Sequence, residues 1–115
     1  MLDWNNYRTE LTKRVGEIAA ITPDLVKGYQ TVAGAGTKGG RLDPKTAELI
    51  SLAVAVTTHC DGCIAVHSKE ALKHGATKEE IADALAVAVS MNAGAALVYS
   101  ARVVDAVDAL QSANA

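Results

Sequence analysis

The strongest constraint on this chain is a helical period that runs almost without interruption and is punctuated by proline. Trp4, Tyr7, Leu11, Val15 and Ile18 recur at spacings of three and four, which makes one apolar stripe. Thr22 followed by Pro23 fits a helix N-cap with proline in the first turn, and Leu25, Tyr29 and Val32 continue at helical spacing. The run "GAGTKGG" (34–40) is expected to end that helix in a surface loop. It lacks both the spacing of a phosphate-binding loop and a preceding strand. Asp43-Pro44 repeats the N-cap logic for "KTAELISLAVAVTT", which is apolar almost all round beyond Glu48 and is expected to be the central helix.

The next helix is expected to carry Cys63 and His67 and to end near Gly75. Thr77 with Glu80 three residues later reads as a capping box. Ile81, Leu85, Ala88 and Val89 then supply the apolar positions. "NAGAA" (92–96) is expected to be a break or a close helix crossing. Leu97, Ala101, Val104 and Val107 extend the pattern to a frayed "QSANA" tail. Runs of alternating β-branched and polar residues do not occur, so strands are not expected. The reading is an all-α bundle of about five to six helices, one domain over residues 1–115.

Half of the residues are apolar, Phe is absent, and alanine fills many apolar positions. Small side chains bury little area each, so the chain is expected to cover part of its apolar surface with copies of itself. The net charge of −2 comes with scattered basic residues, which argues against nucleic acid. The N-terminus, "MLDWNNYRTE", is polar and unlike a secretory signal, and "LISLAVAV" is too short to span a bilayer. A cytoplasmic protein without membrane attachment is the expectation.

The chemistry concentrates in "THCDGCIAVH" (58–67), which holds both cysteines, Cys60 and Cys63, and ends on His67. Haem attachment would need histidine where Ile64 stands. A zinc site would need about four ligands, and a fourth would have to come from His59, His74, Glu48 or a second subunit. A working dithiol needs less. A CxxC at a helix N-terminus brings two sulfurs within bridging reach and offers free backbone N–H groups to a thiolate. At about 100° per residue, Cys60, Cys63 and His67 fall within roughly 60° of one another. An imidazole there can take a thiol proton or hold the thiolate. Glu48 is the odd residue of an apolar helix. If the chain reverses near Thr58, Glu48 comes level with His67 at about 1.5 Å of rise per residue, and a carboxylate–imidazole–thiol relay becomes possible. His59 could tune Cys60 or be a solvated turn residue, and His74 suits a helix C-terminus.

The pattern E-x11-C-x2-C-x3-H (Glu48, Cys60, Cys63, His67), within "LDPKTAELISLAVAVTTHCDGCIAVHSKEALKHGATKEEIADALAVA", resembles the alkylhydroperoxidase AhpD-like core of the carboxymuconolactone decarboxylase superfamily. The similarity spans about residues 42 to 105. The resemblance implies a helical domain assembled into trimers or hexamers. It also implies peroxide reduction by the two cysteines, with Glu48 and His67 as proton relay and no bound cofactor. By that resemblance Cys63 would attack the peroxide and Cys60 would resolve the sulfenic acid and exchange with a thiol reductant protein, lipoyl or thioredoxin-like, whereas helix-terminus logic alone could assign the attack to Cys60. Some members of the family have a histidine between the cysteines, where this chain has Asp61-Gly62. Two other readings are a lyase or hydrolase acting on a small lactone, with Glu48 and His67 as acid and base, and a non-catalytic metal-binding module.

Overall fold

The computed structural model describes residues 1–114, and they form five α-helices with no strand among them. In chain order these are α1 (Trp4–Ile21), α2 (Pro23–Lys38), α3 (Pro44–Thr58), α4 (Asp61–Lys73) and α5 (Lys78–Asn114). Each boundary has a local cause. The Asp3 carboxylate accepts from the Asn6 N–H at 3.0 Å to start α1. Asp43 accepts from the Thr46 N–H at 2.9 Å and from its hydroxyl at 2.9 Å to start α3, with Pro44 in the first turn. Thr77 and Glu80 close a reciprocal capping box at α5. At α2 the proline alone marks the start, because the Thr22 side chain makes no capping bond. Gly75, at φ +85°, takes the left-handed position just after α4.

The central helix is α3, flanked by α4 on one side and α5 on the other. The α1–α2 hairpin lies over α4 and reaches back to α3. The core is thin. Its buried residues are Leu52 and five alanines, Ala55, Ala65, Ala71, Ala76 and Ala88, with Leu49 and Ile81 packed against the Leu52–Ala71–Ala76 cluster. Alanines at the contact let the helix axes approach closely, but they bury little area.

Several expectations change. The surface loop is shorter than 34–40, because α2 carries Gly34 and Gly36 and ends only at Lys38. No break occurs at 92–96, and it is Asn92 rather than Gly94 that meets α3, its amide donating to the Thr57 hydroxyl at 2.9 Å. α5 runs straight through, and a Cβ added at Gly94 would meet nothing within 4 Å. The tail is helical to Asn114, and Ala115 lies outside the described residues. The central helix also keeps apolar surface uncovered, at Ile50 and Val54 on one side and at Val56 on another.

At about 1.5 Å per residue, the 37 residues of α5 span roughly 55 Å. Its first turns pack on α3, and every described residue from Val89 onward is exposed. The radius of gyration is 19.7 Å, against about 13 Å for a compact globule of this length. By length and composition α5 is also apolar enough to cross a membrane, unlike the "LISLAVAV" run of α3.

Candidate active site

The site is built at the turn between α3 and α4. His59 leaves α3 in the left-handed conformation (φ 54°, ψ 46°), and the Cys60 N–H reaches back to the Ala55 carbonyl at 3.1 Å. This reverses the chain in a single residue and places Cys60 as the N-cap of α4. The Cys60 sulfur accepts from the Cys63 N–H at 3.2 Å, as an N-cap side chain does. The same N–H would stabilise negative charge on that sulfur after reduction. Cys60 and Cys63 are joined by a disulfide, with their Cα atoms 5.2 Å apart.

Because α3 and α4 run antiparallel from this turn, Glu48 and His67 meet. His67 Nδ1 and Glu48 Oε2 are 2.6 Å apart. With Glu48 ionised, Nδ1 carries the proton and donates it, which leaves Nε2 as the free acceptor of a neutral ring. Both side chains are largely buried, at 30% and 18% exposure, so the pair is shielded from solvent competition.

The sulfurs open onto an apolar cleft of about 520 Å³ between the α1–α2 hairpin and α4. Cys60, Cys63 and His67 form its reactive side, and Leu11, Val15, Ile18, Leu25, Val26 and Tyr29 form the facing wall. Cys63 and His67 also line a smaller recess of about 290 Å³ with Ile50, Val54 and Thr58, which Cys60 does not reach. The imidazole therefore shares both spaces with Cys63 and only one with Cys60.

The two lesser histidines stand apart. His59 is exposed and lines a depression toward α5 with Val56, Thr57, Val89 and Asn92, so it does not take the place of a histidine between the cysteines. His74 caps the C-terminus of α4 through its N–H to the Glu70 carbonyl. Among the described residues, no group of three or more His, Cys, Asp or Glu is arranged to hold a metal ion.

The facing wall was legible only in part. The stripe of Trp4, Tyr7, Leu11, Val15 and Ile18 signals a buried face, but nothing local says that this face meets a reactive disulfide. Gly62 reads in sequence as a missing histidine. Its paired signal, a glycine without a turn inside a helix, points instead to a close approach.

A sequence model of the carboxymuconolactone decarboxylase family matches residues 23–106. The chain belongs to the carboxymuconolactone decarboxylase family. Relatives within reach of it include an uncharacterized protein of Haemophilus influenzae, 46% identical over 104 residues, which are 90% of this chain and 92% of that one. An uncharacterized protein of Cupriavidus necator is 34% identical over 110 residues, 96% and 97% of the two chains. The crystal structure of an apo carboxymuconolactone decarboxylase family protein from Legionella pneumophila superposes with a TM-score of 0.73. It is 39% identical and covers 85% of this chain and 88% of its own. The helical fold is thus shared with that family member, and this chain carries a CxxC pair within it.

Proposed function

We propose that the protein is a thiol peroxidase or dithiol oxidoreductase in which Cys60 and Cys63 cycle between dithiol and disulfide. The observation that carries this reading is the disulfide at the α4 N-terminus, on a cleft shared with an imidazole that is itself bonded to Glu48. In the reduced protein, His67 Nε2 accepts the Cys63 thiol proton, and the Glu48 carboxylate holds the resulting imidazolium. The Cys63 thiolate attacks one peroxide oxygen, the O–O bond breaks, and the departing alkoxide takes the proton back from His67. Cys63 is then a sulfenic acid. The Cys60 thiolate attacks the Cys63 sulfur and expels hydroxide, which is protonated to water. The sum is ROOH plus dithiol giving ROH, water and disulfide. A partner thiol gives its proton to His67 and attacks Cys60 as the thiolate, Cys63 leaves and takes that proton, and the partner's second thiol attacks the mixed disulfide, which releases Cys60 as a thiol and leaves the partner as the disulfide. A lipoyl group or a thioredoxin-like protein has the required chemistry, and a reducing compartment such as the cytoplasm would sustain the cycle.

The test is mass spectrometry of the reduced protein before and after one equivalent of alkyl hydroperoxide. Loss of two hydrogens confined to the Cys60–Cys63 peptide is expected. Unchanged thiols would sink the reading. The family name favours a second reading, acid–base chemistry on a small lactone by Glu48 and His67. A Cys60→Ser/Cys63→Ser variant that turned over such a lactone at full rate would support it.

We propose further that the chain works as a homo-oligomer, trimeric or hexameric. Leu97, Val98, Val103 and Val104 of α5 are each more than 60% exposed in the single chain, and apolar surface on this scale marks an association face. The first turns of α5 are already committed to α3, through buried Ala88 and the Asn92 amide, which donates to the Thr57 hydroxyl at 2.9 Å. A bilayer-spanning α5 would have to give up these contacts, whereas a second copy covers the exposed half without disturbing them.

A further inference from the structure

We propose that Leu11 is a specificity-determining residue of this site. Seated against Gly62, it closes the α1 wall of the cleft that receives the organic part of an uncharged hydroperoxide. The inference rests on the peroxidase reading above and adds to it the element that selects the substrate.

The first observation is the seat. A Cβ at Gly62 would lie 2.9 Å from Leu11 Cδ2, closer than side-chain contacts allow. Gly62 has no left-handed backbone to justify it, since the only glycines at positive φ are Gly40 and Gly75. The other helical glycines, Gly16, Gly28, Gly34, Gly36 and Gly94, have nothing within 4 Å of the same position. Gly62 alone among them is where another helix comes close. It lies between the two cysteines, so the residue it admits is held beside the sulfurs.

The second observation is the chemistry of the cleft. No lysine, arginine, aspartate or glutamate lines it, and apart from the sulfurs its polar side chains are Tyr29 and His67. Its volume of about 520 Å³ lies within the range of small-molecule sites. Such walls offer hydrogen peroxide few polar partners, whereas each methylene of an organic group gains roughly fourfold in affinity by leaving water. A carboxylated hydroperoxide would leave its charge unpaired against the same walls. The third observation is position. The match to the family model begins at Pro23, so Leu11, Val15 and Ile18 belong to a helix that precedes the matched segment. Cleft selectivity on this side is contributed by α1.

The test uses the full-length, prereduced protein and two independent readouts. In stopped flow, the ratio of second-order oxidation rate constants for cumene hydroperoxide over hydrogen peroxide is expected to fall by about tenfold in Leu11→Ala, a change of several methylenes in an apolar pocket. Leu11→Met, which conserves volume, is expected to restore most of it. The second readout needs no peroxidase activity. The ratio of Cys60/Cys63 alkylation rates by N-phenylmaleimide over N-methylmaleimide should exceed one and fall in Leu11→Ala, with circular dichroism confirming that the variant is folded. A phenyl preference that depends on Leu11, in a protein that peroxides do not oxidise, would uphold the cleft and remove the peroxidase reading. A maleimide ratio unmoved by Leu11→Ala would overturn the role of Leu11. A ratio of one in the parent protein would also overturn it, and would point to a second copy filling the cleft.

Discussion

His67 Nδ1 lies 2.6 Å from Glu48 Oε2, which joins two residues 19 positions apart on antiparallel helices. In the proposed cycle Glu48 acts through the ring, orienting the imidazole and holding the charge it takes up from the thiol. Glu48→Gln is therefore expected to slow peroxide oxidation of the dithiol by about a hundredfold, the low end of general acid–base contributions. His67→Gln is expected to cost at least as much, and the double variant little more than His67→Gln alone. Stopped-flow oxidation of the three prereduced proteins checks this. Additive losses would mean that Glu48 does not work through His67.

The two cysteines should be distinguishable by what each leaves behind. Cys63 shares both of its cavities with His67, and Cys60 sits at the helix cap. In Cys60→Ser, peroxide should produce a sulfenic acid on Cys63 that dimedone traps. In Cys63→Ser, trapping at Cys60 should be slower by at least about tenfold, since in the proposed cycle His67 takes the proton of the thiol at position 63. Faster labelling of Cys60 would reverse the assigned order of attack.

Leu52 is the one buried core residue larger than alanine among the described residues. Leu52→Ala should cost about 2–5 kcal/mol, because flanking alanines cannot collapse into the space. In urea this is a midpoint shift of roughly 1 M or more at fixed protein concentration. A shift of a few tenths molar would mean that the fold does not depend on this contact.

The N-termini of α3 and α5 are tied by Lys45 Nζ to Glu80 Oε2 at 2.7 Å, beside the Asp43 cap. The hydrogen bond from Lys45 holds the Glu80 carboxyl below its ordinary value of 4.5, and the Thr46 N–H holds Asp43 below 3.8. Folded values below unfolded ones mean stability that is present above about pH 4.5 and lost as pH falls through the lowered values. The Glu80 carboxylate raises Lys45 above 10.5, so its share persists to alkaline pH. All three groups are exposed, so the effect should be small and weakened by salt. Thermal melts from pH 7 to 2.5 should show a smaller acid loss in Glu80→Gln than in the parent. Identical slopes would exclude the pair as a contributor.

Sedimentation should give a mass three or six times that of the chain, and Val104→Glu should lower it by placing charge on the uncovered face of α5. Recovery of the parent protein in the membrane fraction, resistant to high salt, would show that lipid rather than a second copy covers that face.

Much of the site was readable because its parts are local. The Asp43 N-cap, the prolines, the capping box and the CxxC at a helix start each act over three or four residues. Glu48 could be placed beside His67 from rise per residue once the chain was taken to reverse near Thr58. The loop at 34–40 was misplaced because glycine lowers helix propensity without forbidding helix. At 92–96 the small residues report room for a neighbour, and within the single chain Asn92 meets α3 while a Cβ at Gly94 would meet nothing within 4 Å.

The amino-acid sequence by itself determined an all-α chain of five to six helices, the caps at Asp43 and Thr77 and a CxxC pair at the tip of one helix, since these follow from backbone preferences a few residues long. The tertiary structure decided which apolar stripe faces the sulfurs, that Leu11 rests on Gly62, and that half of α5 is left bare. Those outcomes depend on how whole helix faces fit across long sequence separations, where many stripes are chemically alike and only shape at the contact tells them apart.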